Sequence, residues 1–255
     1  MARLQLNKLT ILRGEKTLCR DLDLSLQGGQ CWGILGANGA GKTTLLHSLA
    51  GLYPLNTGTI LLDGLELEHY RRRQMAQRMG LLFQAHESSF PATVLETVLQ
   101  GRHPHIPVWK WEDAEDLNKS LHALRLVGLE AMQQREATAL SGGEQQRLAI
   151  ATLLNQDAMI YLLDEPTNHL DLHQQIRILD LFTNQVKERD RLCVMALHDI
   201  NLAQRYCDHF VLMLEEGECL TGTAKEVLNV ENLTRLYGHP MLVVEGPHGP
   251  LFVPR

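Results

Sequence analysis

The stretch that most constrains this chain is Gly36-Ala37-Asn38-Gly39-Ala40-Gly41-Lys42-Thr43-Thr44, set between an apolar run (Cys31 to Leu35) and an amphipathic one (Leu45 to Leu49). It fits G-x-x-x-x-G-K-[ST] in a strand–loop–helix context, the pattern of a phosphate cradle. Glycines let backbone N–H groups turn inward around phosphate oxygens with no Cβ in the way. A helix beginning at Gly41 aims the positive end of its dipole at the same anion. Lys42 adds a point charge at the β- and γ-phosphates, and the Thr43 hydroxyl suits Mg²⁺. Gly36, Asn38, Gly39, Ala40, Gly41, Lys42, Thr43 and Thr44 are therefore candidate nucleotide-binding residues.

At 255 residues the chain fits one large domain, or a core with an inserted subdomain. Its net charge of −6 gives no overall basic character to attract nucleic acid, and no nucleic-acid partner is expected. The short run Arg71-Arg72-Arg73 reads as a solvated helix face. Five scattered cysteines (Cys19, Cys31, Cys193, Cys207, Cys219) form no C-x-x-C pair, which fits a reducing compartment better than a disulfide framework. The first residues lack the apolar block of a signal peptide. No stretch approaches the ~18 consecutive apolar residues of a membrane span. A cytosolic protein is expected, with any membrane contact made through a partner.

Alternation of apolar and polar residues from Leu4 to Leu12 and from Leu18 to Leu26 predicts half-buried strands. Thr59 to Leu62 predicts a strand entering a turn at Asp63-Gly64, and Gly80 to Phe83 a short strand ending at Gln84. From about Pro91 to Leu140 the period becomes helical, interrupted by the proline-broken segment Gly101 to Trp109. The continuous apolar runs Met159 to Leu163 and Leu192 to Leu197 suit parallel strands buried on both faces. A further strand is expected at Phe210 to Leu214. One helix is expected from Ala224 to Tyr237, then a hairpin around Gly246 to Gly249.

Leu140-Ser141-Gly142-Gly143-Glu144-Gln145-Gln146-Arg147 reads as a second anion cradle, a small hydroxyl and paired glycines at a helix N-terminus. Tyr161-Leu162-Leu163-Asp164-Glu165-Pro166 puts two acids at the end of a very apolar strand. Adjacent strand residues point to opposite faces, so both acids can serve one site only where the strand ends, as Pro166 indicates. These segments resemble the signature and Walker B motifs of ATP-binding-cassette (ABC) ATPases. That resemblance covers nearly the whole chain. It implies an α/β P-loop NTPase core with an N-terminal antiparallel β subdomain and an inserted α-helical subdomain. The core would span about 1–90 and 155–235, the helical subdomain about 91–154, and a C-terminal helix and hairpin about 224–255.

The resemblance also assigns roles. Asp164, Thr43 and Gln84 would hold Mg²⁺, Glu165 would polarise the attacking water, and Gln84 would sense the γ-phosphate. His198 matches the switch histidine, and Asn168-His169-Leu170-Asp171 the D-loop that crosses a dimer interface. Ser141, Gly142, Gly143, Gln145 and Asp171 would contact the nucleotide held by a second copy packed head to tail. One departure is plain: no aromatic stands near Arg13 to stack on adenine, so either Arg13 would stack its guanidinium on the base or the base would be loosely held, and discrimination between ATP and GTP would be weak.

Softer similarities point to importers of metal chelates: iron–siderophore, haem and cobalamin systems. They are Gln100-Gly101-Arg102-His103-Pro104-His105, Leu197 to Ala203, Gly222 to Leu228 and Leu236-Tyr237-Gly238. The implied partners are a permease dimer and, indirectly, an external substrate-binding protein, with the ATPase peripheral on the cytoplasmic face of the inner membrane. Phe90, Trp109 and Trp111 are candidates for permease docking or for packing within the insertion. His103 and His105, without an acidic or thiolate partner, do not suggest a metal site. An exporter's ATPase would share every catalytic residue, and a soluble ABC ATPase acting on DNA or ribosomes is the alternative from another class.

Overall fold

The computed structural model describes residues 3–84, 91–107, 109–246 and 249–255. The chain opens with β1 (Arg3–Arg13), β2 (Lys16–Gln27) and β3 (Cys31–Gly36), then α1 (Lys42–Leu49). Next come β4 (Thr57–Leu62), β5 (Leu65–Glu66), α2 (Arg72–Arg78) and β6 (Met79–Leu82). Three helices follow: α3 (Val94–Leu99), α4 (Ala114–Leu126) and α5 (Gly142–Asn155). The pattern then returns to strand–helix alternation with β7 (Ile160–Asp164), α6 (Leu172–Arg189), β8 (Leu192–Ala196), α7 (Ile200–Tyr206), β9 (His209–Met213) and β10 (Cys219–Thr223). The C-terminal part holds α8 (Ala224–Val227), α9 (Val230–Tyr237), β11 (Met241–Gly246) and β12 (Gly249–Pro254).

The central sheet runs β10-β9-β3-β8-β7-β6, parallel except for β10, which pairs antiparallel to β9. A second, antiparallel sheet has the order β2-β1-β4-β5. The two sheets and the helices bury separate apolar clusters on opposite faces of the central sheet. Along β7, Tyr161 and Leu163 join the cluster that includes α5 and α6, while Ile160 and Leu162 join the one under the antiparallel sheet. Along β8, Cys193 and Met195 face the first, and Leu192, Val194 and Ala196 the second. Period-2 side-chain direction with apolar layers on both sides explains why these strands read as unbroken hydrophobic runs.

The helical segment α3–α5 is held together by polar contacts as well as packing. Arg102 is 4% exposed. Its guanidinium donates to Asp116 Oδ1 at 2.9 Å and to the carbonyl of Asn155, the last residue of α5, at 2.9 Å. Asn155 in turn donates to the Val98 carbonyl and the Ser120 hydroxyl, each at 2.8 Å. Arg102, a mark of family likeness in the sequence, is thus a buried structural anchor.

Three details depart from the sequence reading. The expected helix 224–237 is two, because Asn229 turns extended and caps α9 by accepting from Asn232 N at 2.9 Å. Arg73 is not merely solvated: its Nε donates to the Pro104 carbonyl at 2.8 Å, fastening the proline-broken segment to α2. His103 does have an acidic neighbour, Glu112 at 3.7 Å. His105 meets the Gln156 carbonyl instead, at 2.8 Å, and no cluster of three metal-ligating side chains occurs among the described residues.

Candidate active site

The carboxyl ends of β3, β7 and β8 finish at one edge of the central sheet, where ligands of open α/β sheets bind. A cavity of about 490 Å³ opens there. Arg13, Asn38, Gly39, Gly41, Lys42, Thr43, Thr44, Gln84, Glu165 and His198 line it, together with Lys16 and Leu18. No Phe, Tyr or Trp is among these lining residues. Gly41 adopts φ 108° as the residue capping α1, a conformation that L side chains rarely enter. A Cβ there would also lie 3.0 Å from that of Leu18. Lys16 supports the loop from outside by donating to the Gly39 carbonyl at 2.9 Å.

Lys42 is 6% exposed, and its ammonium donates to the loop's own carbonyls, Gly36 at 2.8 Å and Ala37 at 3.3 Å. Burial pushes its pKa down, while the nearby carboxylates of Glu165 and Asp164 oppose that shift. Asp164 is fully buried at the end of β7, and neither carboxylate oxygen has a hydrogen-bond partner. The Thr43 hydroxyl lies near enough to ease the charge but completes no hydrogen bond, and burial holds the acid above the usual carboxylate range. An orphaned carboxylate beside a hydroxyl is a pair of hard oxygen donors, which fits Mg²⁺.

Glu165 follows at φ 51°, a left-handed turn that swings its side chain away from the strand direction. Its N–H donates to the Ala196 carbonyl at 3.2 Å. The Gln84 amide donates to Oε2 at 2.9 Å, Asn168 Nδ2 donates to the same oxygen, and His198 Nε2 meets Oε1. Burial pushes the Glu165 carboxyl up, but the hydrogen bonds from Asn168, His198 and Gln84, with the histidine's charge, hold it below the usual range. Gln84, Glu165 and His198, far apart in sequence, are in direct contact.

Ser141 caps α5, and Glu144 closes a capping box by accepting from the Ser141 N–H and hydroxyl, both at 2.8 Å. Gly143 is required by close approach, since a Cβ would lie 2.9 Å from the His169 carbonyl. A Cβ on Gly142 would meet nothing within 4 Å. Asp171 caps α6 by accepting from Gln174 N at 2.9 Å. Gln145 turns back to its own chain, with Nε2 3.3 Å from the Leu140 carbonyl. None of Ser141, Gly142, Gly143, Gln145 or Asp171 lines the phosphate-loop cavity of its own chain.

The ABC transporter family model matches residues 19–168, from β2 through the two acids at the end of β7. The chain belongs to the ABC transporter family. Its chemistry is the ATP hydrolysis of ABC ATPases. The chain is 36% identical over its full length to the ferric enterobactin transport ATP-binding protein FepC of Escherichia coli, covering 94% of it. It is 39% identical to the hemin import ATP-binding protein HmuV of Pseudomonas fluorescens, with 99% of this chain and 100% of that one covered. Among solved structures, a metal-chelate type ABC transporter in an inward-facing conformation superposes with a TM-score of 0.85 at 28% identity, covering 100% of this chain and 98% of the other. A dimeric ATP-binding cassette bound to ADP and phosphate after hydrolysis gives 0.74 at 26% identity, covering 86% and 98%.

Two functional contacts escape the sequence reading. The resemblance places Asn168 only in the D-loop, yet it holds the Glu165 carboxylate; its spacing three residues after Glu165, across a tight turn, is the signal that points there. Gln146, 4% exposed on α5, donates to the Pro166 carbonyl at 3.3 Å and approaches that of Glu165 at 3.5 Å. The helix bearing the signature thereby holds the backbone that carries Glu165.

Proposed function

We propose that this chain hydrolyses ATP to power import of a metal chelate (iron–siderophore, haem or cobalamin) through a membrane permease, working as a head-to-tail homodimer. The observation that carries the dimer is Gly142. A glycine in a helix costs up to about 1 kcal/mol against alanine, and nothing among the described residues of its own chain needs the space. The space suits the phosphates of a nucleotide seated on a second copy, cradled by the Ser141 hydroxyl and the N–H groups at the tip of α5.

In that arrangement Lys42 leaves its own loop carbonyls for the β- and γ-phosphates. Glu165, already ionised and freed from Gln84 and His198, orients the attacking water. Gln84 and His198 then turn to the γ-phosphate and register its presence. Thr43, Asp164 and Gln84 would hold Mg²⁺, which supplies charge neutralisation on the phosphates. Phosphoryl transfer of this kind is mainly positioning and electrostatics. Arg13 at the cavity mouth covers the base in place of an aromatic ring.

The metal-chelate cargo is supported by the relatives' names, which specify enterobactin, petrobactin and hemin transport. Permease docking is supported by an apolar groove of about 310 Å³ lined by Leu81, Phe83, Leu148 and Leu153 beside Gln84. Gln156 at its edge meets His105, from the segment that leads to Trp109 and Trp111, 84% and 89% exposed. Phe90, the third candidate for this patch, lies outside the described residues. No helix of the described residues is long and apolar enough to cross a membrane, so membrane attachment would come from the permease.

Glu165→Gln should slow hydrolysis by about 10²–10⁴-fold and accumulate an ATP-bound dimer on size-exclusion chromatography. A variant that stays monomeric in saturating ATP would remove the basis for this mechanism. Affinity capture from membranes should recover a polytopic permease; recovery of ribosomes or DNA would favour the soluble alternative.

A further inference from the structure

A cavity of about 660 Å³ lies away from the phosphate loop, between β2, the turn after β9, β10 and α9. Cys219 lines it with Arg20, Arg235 and the acids Asp21, Glu215, Glu216 and Glu218, and Arg235 pairs with Glu218 at 2.6 Å. Behind Cys219 sits Cys19, fully buried, with its sulfur 3.6 Å from that of Cys219. The two thiols belong to different layers: Cys19 to β2 of the antiparallel sheet, Cys219 to β10 at the edge of the central sheet. The other three cysteines are buried, and Cys193 and Cys207 are pushed well above the ordinary thiol range by burial. Cys19 is pushed up by its hydrogen bond to Cys219 and by burial, whereas Cys219 is drawn down by that same bond, against its own burial and the Glu218 carboxylate. The Cys219 S–H donates to the Cys19 sulfur, the Cys19 S–H points to the Leu9 carbonyl at 3.6 Å, and Cys219 faces the cavity.

We propose that Cys19 and Cys219 are a peroxide-oxidisable dithiol that closes to a disulfide and lowers nucleotide affinity. The Cys219 thiolate attacks the O–O bond of a hydroperoxide; an S–O bond forms, the O–O bond breaks, and the alkoxide leaves and takes a proton. Cys219 becomes a sulfenic acid, oxidised by two electrons, while the peroxide is reduced to an alcohol. The Cys19 sulfur then attacks the Cys219 sulfur; the S–S bond forms, the S–O bond breaks, and hydroxide departs with the Cys19 proton as water. A thiol reductant reverses the step by exchange.

The link to nucleotide is steric. Closing 3.6 Å to a disulfide of about 2.0 Å draws β2 toward β10. The junction has little slack, because a Cβ on Gly217 would lie 2.5 Å from Thr17 Cγ2. Leu18, adjacent to Cys19, packs against Gly41 and lines the phosphate-loop cavity, and Lys16 on the same strand holds the Gly39 carbonyl. Displacing β2 therefore displaces the wall of the phosphate loop.

The test treats the purified full chain with hydrogen peroxide, maps thiols by peptide mass spectrometry, and measures the Kd of a fluorescent ATP analogue. The expected result is a Cys19–Cys219 crosslink with Kd weakened several-fold, both reversed by dithiothreitol. Cys219→Ser should abolish both effects. Cys19→Ser should leave a Cys219 sulfenic acid that dimedone traps, without a crosslink. Absence of the crosslink in the wild-type chain, or a crosslink that leaves Kd unchanged, overturns the proposal. The crosslink is read without reference to transport, so its failure is separable from failure of the import function.

Discussion

The chain contains two glycine-bearing helix tips, and they are built differently. The tip of α1 is finished from within: Gly41 takes a conformation that only glycine adopts easily, Leu18 presses on it, and Lys42 folds onto the loop's own carbonyls. The tip of α5 is capped by Ser141 and Glu144, yet Gly142 faces open space. One tip lines a cavity of its own chain. The other lines none there, and in the proposed dimer it would serve a nucleotide held by a second copy.

The sharpest way to break this comparison is at the far end of the signature helix. Removing Arg102 leaves Asp116 buried without its partner and uncaps the last carbonyl of α5. Arg102→Ala should cost about 3–5 kcal/mol of stability in urea unfolding. Burial raises the Asp116 carboxyl, but the Arg102 hydrogen bond and charge and the Asp113 N–H hold it below the usual range. A depressed folded pKa stabilises above the unfolded value and is lost as pH falls through the folded one, so the gap between wild type and variant should begin to narrow below about pH 4, leaving the share that comes from the Asn155 carbonyl.

Next in size come the two glycines. Gly142→Leu should leave folding and single-chain nucleotide binding intact while turnover of the assembled transporter falls about 10²-fold, the scale of a 1 Å misplacement. Gly41→Ala should do the reverse, weakening nucleotide binding in the isolated chain through roughly 1–3 kcal/mol of backbone strain. Equal effects of both in the isolated chain would erase the distinction between the tips.

Asn168→Ala should lower hydrolysis about tenfold, the scale of a hydrogen bond to a charged group at about 1.5–3 kcal/mol, with ATP affinity unchanged. A loss of affinity instead would move Asn168 from the catalytic carboxylate to the nucleotide. The smallest effect concerns the base: GTP should compete within about tenfold of ATP, because a guanidinium over a ring gains only about 1–2 kcal/mol from either purine. Strong ATP preference in a competition assay would show that Arg13 is not what holds the base.

Features of the site carried by contiguous residues are legible in the amino-acid order alone. The phosphate loop is a local backbone shape, and Asp164-Glu165-Pro166 announces itself as the end of an apolar strand. Gln84 and His198 are legible only through their order along a family pattern, since a glutamine or histidine after a strand has no chemistry of its own. Their meeting at Glu165 depends on β3, β6, β7 and β8 ending at one edge. Asn229 shows the converse: a local cap signal is present, but apolar periodicity running across it reads as one helix.

By itself, then, the sequence determined the phosphate cradle, the doubly buried strands and the order of the catalytic motifs, because each is written in neighbouring residues and local periodicity. Tertiary structure alone decided that Arg102 is an anchor, that Asn168 grips Glu165, that Cys19 lies beside Cys219, and that Gly142 has no neighbour. Those facts depend on which distant segments the packed sheets bring within a few ångströms, and chain separation carries no record of that distance.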